Sequence, residues 1–234
     1  MVLGASKSAS PSVSRSASPP PGTPARTPGR PPARPPTPMA PSAAPPALQD
    51  LRFDAGRTCL DLLATSHPVE RLDGVQRLRD WLAGAGLVPP GTPLPGVDPS
   101  CLVAFRELRG HIALLVRAEL VGRRADTALA RVNALAAGAP PAPRAVRLAD
   151  GSLARALHGV PGRPALLAAV ARDAVELLTD PVARSLLRQC EGDNCTIVYL
   201  DTSRGRRRRW CSSEVCGNRE RVARHRRRAA LARA

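Results

Sequence analysis

No stretch of this sequence approaches the roughly 18 uninterrupted apolar residues of a membrane-spanning helix, so no membrane partner is expected. Nor does an apolar run of about 7–15 residues follow the first basic residues, so the start does not read as a secretory signal. Its basic, Ser-rich, acid-poor character also suits an organellar transit peptide, but its prolines oppose the amphipathic helix such a peptide forms. A cytoplasmic protein is the expectation. The constellations that catalysis requires are missing too. No carboxylate pair, nucleophile–histidine arrangement or Gly-rich phosphate loop stands out, so the chain is not expected to be an enzyme.

What is present is unevenly distributed. Residues 1–47 are rich in Pro, Ser and Ala, in runs such as "SASPPPGTP" and "RPPARPPTP". Such a segment has too little apolar surface to offset its ordering entropy and is expected to be a disordered basic arm. The formal net charge is +16. Residues 51–187 carry 17 basic against 13 acidic residues, whereas residues 188–234 carry 13 arginines against five acids. Charge concentrated in this way implies a polyanionic partner, nucleic acid first and an acidic membrane surface second.

Residues 48–182 read as a mostly helical domain. "GRTCLDLLATS" clusters Cys59, Leu60, Leu62 and Leu63 as a short buried helix. "DGVQRLRDWLAGAG" spaces Val75, Leu78, Leu82 and Ala85 helically, with Asp73 as its cap. Asp98 and Pro99 open a longer helix carrying Leu102, Phe105, Leu108, Ile112 and Leu115. "DTALARVNALAAG" puts Leu129, Val132 and Leu135 on one face and stops at Gly138. Val146, Leu148, Leu153 and Leu157 flank an Asp150-Gly151 turn, which predicts a β-hairpin. A last helix opens at Pro164 and lines Leu167, Val170, Ala174 and Leu177 on one face. Cys59 and Cys101 read as core residues. His111, on the strongest helix, and His67 and His158, beside loops, carry no catalytic pattern.

The other four cysteines follow the pattern Cys190-x4-Cys195-x15-Cys211-x4-Cys216. Two close pairs joined by a segment able to fold back suit one structural, tetrahedral Zn²⁺. A short hairpin is expected from Thr196 to Trp210, with Tyr199 and Trp210 as its apolar cover. Ser212 or Ser213 is expected to cap a helix that carries Cys216 in its opening turns. His225 is a spare imidazole that four thiolates make unnecessary. The alternatives are four separate reduced thiols or a redox pair, although the Cys-x-x-Cys spacing of common oxidoreductases is absent.

These residues also carry a family resemblance. "RQCEGDNCTIVYLDTSRGRRRRWCSSEVCGNRERVARHRRR" resembles the CGNR-type zinc finger, here over residues 185–229, through C-x4-C, "LDTS", "RRWC" and Cys216-Gly217-Asn218-Arg219. "GRTCLDLLATS", "LRDWLAGAGL" and "RDAVELLTD" resemble the ABATE domain that usually precedes this finger. The departures are Ala64, where Asn is usual, Ser213, where Met is frequent, and Glu220-Arg221 in place of a small residue and Lys. The resemblance implies a stress-induced transcription regulator. Its fold would be mainly α with small β-hairpins: a helical domain followed by a treble-clef-like knuckle, hairpin and helix.

Duplex DNA is then the expected partner, and nucleoid association follows from it. On the terminal helix Arg221, Arg224 and Arg228 share a face, Arg227 continues the band and Arg226 points elsewhere. Arg206, Arg207, Arg208 and Arg209 alternate faces along the hairpin. Asn218 and Arg219 are of the types that read adenine and guanine edges, or that order the metal turn and contact phosphate. With Tyr199 and Trp210 as the module's aromatics, no stacking platform for single strands is expected. The helical domain would sense a small-molecule effector or mediate homodimerisation. A competing reading is a zinc-containing adaptor that binds RNA or protein, and a remoter one is an enzyme acting in a pocket of the helical domain.

Overall fold

Helix α3, Pro99–Leu120, is the spine of the fold in the computed structural model, which describes residues 50–231. The arm expected over residues 1–47 lies outside the described residues. Asp98 caps α3 by accepting from the Cys101 amide at 2.8 Å, and Pro99 occupies the first turn, where no amide is needed. Leu102, Phe105, Leu108, Ile112 and Leu115 all face inward, as their spacing predicts, together with Val116.

Around α3 pack α1 (Thr58–Ala64), α2 (Val75–Gly84), α4 (Asp126–Ala136) and α5 (Arg163–Thr179). Trp81 of α2 meets Phe105 edge-on, with ring centroids 6.0 Å apart. The α5 face of Leu167, Val170, Ala174 and Leu177 is buried. Two helix expectations are corrected. The residue before α2 is Gly74 with no side-chain cap, so Asp73 does not cap it. In α4 the buried stripe runs through Ala128 and Val132, and Leu129 is exposed. Ala128, one position before Leu129, takes the buried place four residues from Val132, which leaves Leu129 off the inward stripe.

The expected hairpin forms from β1 (Pro143–Arg147) and β2 (Leu153–Leu157) around Asp150-Gly151. Gly151 adopts φ +83°, in the left-handed region that glycine enters freely. After α5 the chain makes a short helix α6 (Pro181–Ser185), then strands β3 (Leu187–Gln189) and β4 (Val198–Leu200).

Here the structure corrects a third expectation. The C-terminal hairpin is β3 paired antiparallel with β4, in register Leu187↔Leu200 and Gln189↔Val198. It straddles the first cysteine pair and does not span Thr196 to Trp210. The segment after β4 returns as loop, held to Asp201 and Glu191 rather than to a strand ladder. Strand β4 also packs on α1, and the Leu200 amide donates to Ala55 O at 2.9 Å. Leu187, Ile197, Val198, Tyr199 and Leu200 join the same buried core as the helices. Helix α7 (Asn218–Leu231) closes the described chain.

Candidate metal centre and basic face

Cys190 follows β3 and Cys195 precedes β4, so pairing of the two strands fixes the turn between them. The Cys190 amide donates to Ile197 O at 2.9 Å and the Cys195 amide to Gly192 O at 3.0 Å. Asn194 takes φ 59°, a left-handed conformation that Asn tolerates better than most residues. A Cβ on Gly192 would lie 3.2 Å from Cys216 Cβ and 3.3 Å from its sulfur. Glycine at this position therefore lets the second cysteine pair close on the first.

The second pair arrives by a different route. The Glu191 amide donates to Arg209 O at 2.9 Å, laying the returning loop against the first knuckle. Ser212 then caps a π-helical turn, Ser213–Gly217, its hydroxyl accepting from the Glu214 and Val215 amides at 3.2 Å each. Cys216 sits in that turn and runs directly into α7, as the capping serine predicts.

The result is four buried sulfurs lying within 4.8 Å of one another. Cys195 and Cys211 are 3.8 Å apart and Cys211 and Cys216 are 3.7 Å apart. A tetrahedron with sulfur about 2.3 Å from its centre has edges of about 3.8 Å, so the cluster has the dimensions of a Zn–S₄ site. A disulfide needs about 2.05 Å, and all the cysteines are free. The four sulfurs also sit in different electrostatic surroundings. Burial pushes Cys216 up to about 11 and Cys195 higher still, each also opposed by the neighbouring sulfurs. Cys190 is pulled below its ordinary value despite burial, because the Cys211 and Gly192 amides donate to its sulfur at 3.3 and 3.4 Å. Thiolates held this close repel one another, a cation among them removes that cost, and one zinc ion fits among the four sulfurs.

Two arginines complete the centre, and spacing gave no signal for either. Arg52, on the segment before α1, donates to the Cys211 sulfur at 3.2 Å and to its carbonyl at 2.9 Å. Arg208 donates to Trp210 O at 2.8 Å and also to Cys211 O, while its guanidinium lies 4.5 Å above the Tyr199 ring. Tyr199 donates its hydroxyl to Arg208 O at 2.6 Å. Buried Asp201 of the "LDTS" run accepts from Ser203 N, Ser203 Oγ and Arg208 N at 2.6–3.0 Å. Those donors, the Ser203 hydroxyl first, hold its carboxyl below the usual range. "LDTS" therefore shapes the loop that delivers Cys211.

The remaining arginines are not equivalent. Arg208 is turned inward. Arg209 pairs with Glu191 at 2.6 Å and lies over Trp210. On α7, Glu220 accepts Arg227 at 2.9 Å and approaches Arg224 at 3.9 Å, and Arg221 donates to Ser213 O. Arg206, Arg207, Asn218, Arg219, Arg226 and Arg228 are exposed. No side chain of α7 is buried.

Known families match both halves of this architecture. The CGNR zinc finger matches residues 186–229, containing all four clustered cysteines. The ABATE family, described as "Putative stress-induced transcription regulator", matches residues 56–181. No curated protein matches the chain significantly. The family match covers more than half of the sequence and ends as α6 begins, and the finger match starts just after α6, so the chain belongs to the ABATE family and carries a CGNR zinc finger behind that domain.

Proposed function

We propose that the protein is a transcription regulator that binds duplex DNA through the C-terminal finger, with Cys190, Cys195, Cys211 and Cys216 ligating one structural Zn²⁺. The observation that carries this is α7, a 14-residue helix with no buried side chain, anchored at its start by Cys216. A helix with no buried side chain leaves most of its surface to a partner. Its six arginines and one glutamate select a polyanion, and its diameter suits the major groove of B-DNA. In this reading Arg206, Arg207, Arg219 and Arg228, with Arg221, Arg224 and Arg227 of the same band, contact phosphates. Asn218 lies where the helix enters the groove. Arg208 is withdrawn from the set, because its guanidinium is used on Trp210, Cys211 and Tyr199. The helical domain senses a small effector or joins two copies.

RNA as the partner is disfavoured by the same face. Tyr199 is buried, and Trp210 is half-buried under Arg209 with one side on Gly217, so neither is free to stack on bases. The test is selection from a random duplex pool alongside an RNA pool, with zinc-loaded protein and with Cys216→Ala. A defined duplex sequence should be enriched and then lost in the variant. If these seven arginines each neutralise a phosphate, log affinity should fall against log salt with a slope of about −6. Equal retention of all polyanions, unaffected by the cysteine change, would overturn the reading.

A further inference from the structure

A recess of about 200 Å³ lies where the helical domain meets the finger. Its walls come from the turn after α1 (Ser66, His67), from α3 (Arg106, Arg109, Arg117) and from the finger residues that follow Cys195. Leu63, Ala113 and Ile197 supply an apolar floor, and no carboxylate lines it. The three guanidiniums differ in what they are already bound to. Arg109 is paired with Glu70 and Thr65, each at 2.8 Å. Arg106 is held by the neutral carbonyl of Leu72. Arg117 has no partner among the described residues. His67 bridges the seam, its Nδ1 3.5 Å from Thr196 Oγ1. The region is electropositive: burial, and then the charges of Arg219 and Arg52, hold His67 below its ordinary imidazole value.

Gly110 is a second, independent observation. It stands in the middle of α3 and lines the recess, where glycine costs a helix about 1 kcal/mol relative to alanine. A Cβ there would meet nothing within 4 Å, so packing within the protein does not require its absence. The missing side chain leaves the recess open.

We propose that this recess binds a small organic anion, a carboxylate carrying a short apolar body, and that the finger reads its occupancy. The carboxylate lies against Arg106 and Arg117, and the apolar body lies on Leu63, Ala113 and Ile197. The volume is below the ~300–1,000 Å³ of sites for drug-sized ligands, which limits the occupant to a small molecule. The route to the finger is short. Thr196 directly follows Cys195, Ile197 O accepts the Cys190 amide, and Val198 pairs with Gln189, so the wall touched by the ligand is the frame of the first knuckle. This deepens, and rests on, the assignment of sensing to the helical domain.

Calorimetry with the zinc-loaded full chain, using benzoate, butyrate and inorganic phosphate as probes, tests the site. At least one carboxylate should bind saturably in the millimolar range or tighter. Arg117→Ala, which removes an exposed and unpaired side chain, should weaken it about tenfold, the scale of one charge-assisted hydrogen bond. Gly110→Leu should abolish binding while zinc content and helical circular dichroism stay unchanged. Three results would overturn the proposal: no saturable heat with either carboxylate, wild-type binding in both variants, or binding of phosphate alone that duplex DNA displaces. The last outcome would make the recess part of the DNA contact. Duplex binding of wild type and of Gly110→Leu, measured without probe, separates the two ideas. Retained DNA binding with no probe site sinks the sensor and leaves the regulator, and the reverse pattern sinks the regulator.

Discussion

Helices α3 and α7 show two ways in which one chain holds a helix. In α3, seven side chains including Phe105 and Ile112 are buried, each worth about 1.5–3 kcal/mol of transfer free energy when fully removed from water. In α7 none is buried, and six arginines crowd 14 residues. A short isolated helix of that charge is marginal in water. What fixes its start is the capped turn through Ser212 and the bond Cys216 can make to a metal. The difference extends to the regions around them. The helical domain is held by apolar area, which is distributed and tolerant. Beyond β4, which shares that apolar core, the finger is held by four sulfurs, a buried Asp201 and two inward arginines, a small set in which each member counts.

The largest expected effect breaks this contrast from the metal side. Structural zinc contributes about 10–16 kcal/mol in small finger domains. Chelation, or Cys216→Ser, should therefore unfold the returning loop and α7 while leaving the helical domain cooperative. The two tryptophans report separately, since Trp81 is fully buried against Phe105 and Trp210 is half-buried beside Gly217. Comparison with Trp210→Phe assigns the signals. Trp210 emission should shift to the red on metal removal and Trp81 emission should not. Simultaneous loss of both signals would show that the regions unfold as one.

That contrast also explains what was legible in the sequence. Apolar periodicity is a repeated signal, so the faces of α3 and α5 could be assigned from spacing alone. In α4 the pattern misled, because Leu129 has the right spacing but the small Ala128 takes the buried place. Asp73 failed as a cap because Gly74 intervenes. In the finger, the four cysteines were readable from their pairing, and a serine cap at Ser212 or Ser213 from its place before a helix, which the structure settles on Ser212. The hairpin was misplaced, because a β-branched run such as Thr196–Val198 does not say which neighbour it pairs with. Arg52 and Arg208 were invisible as parts of the centre. Nothing local distinguishes an arginine that meets a carbonyl 159 residues away from one that meets solvent.

A second expected effect, on the order of 2–4 kcal/mol, comes from the helical side. Burial pushes the Asp61 carboxyl up to about 7, partly offset by the Ala55 amide that donates to it at 2.9 Å. A folded value above the unfolded one stabilises the protonated form. This contribution is fully present below about pH 4 and is lost as pH rises through 7. Asp61→Asn keeps an acceptor for the Ala55 amide and removes the titration. Followed through Trp81 in urea, the variant should match wild type near pH 4 and exceed it at pH 8. The finger should respond in the opposite sense, losing metal as pH falls and its thiolates are protonated. Parallel pH curves for the two tryptophans would remove the distinction between the regions.

The smallest expected effect asks how separate the regions are. Arg52 belongs to the segment leading into α1, yet it reaches the sulfur and the carbonyl of Cys211. Four thiolates on Zn²⁺ leave a formal charge of −2, and donors around the ligands orient them and spread that charge. Loss of one such outer donor typically weakens metal binding about 10–100-fold. Arg208 still serves the Cys211 carbonyl, so Arg52→Ala should fall at the low end, near tenfold. Zinc release to a chromophoric chelator measures it, with Arg79→Ala, on α2 and bonded to Val97 O, as a control that should leave zinc release unchanged. If Arg52→Ala releases zinc no faster than wild type, the finger is self-sufficient. The helical domain would then influence it only through the β4–α1 contact. If release accelerates as expected, the metal is held partly by the domain in front of it. Anything that moves the segment before α1 would then also act on the zinc.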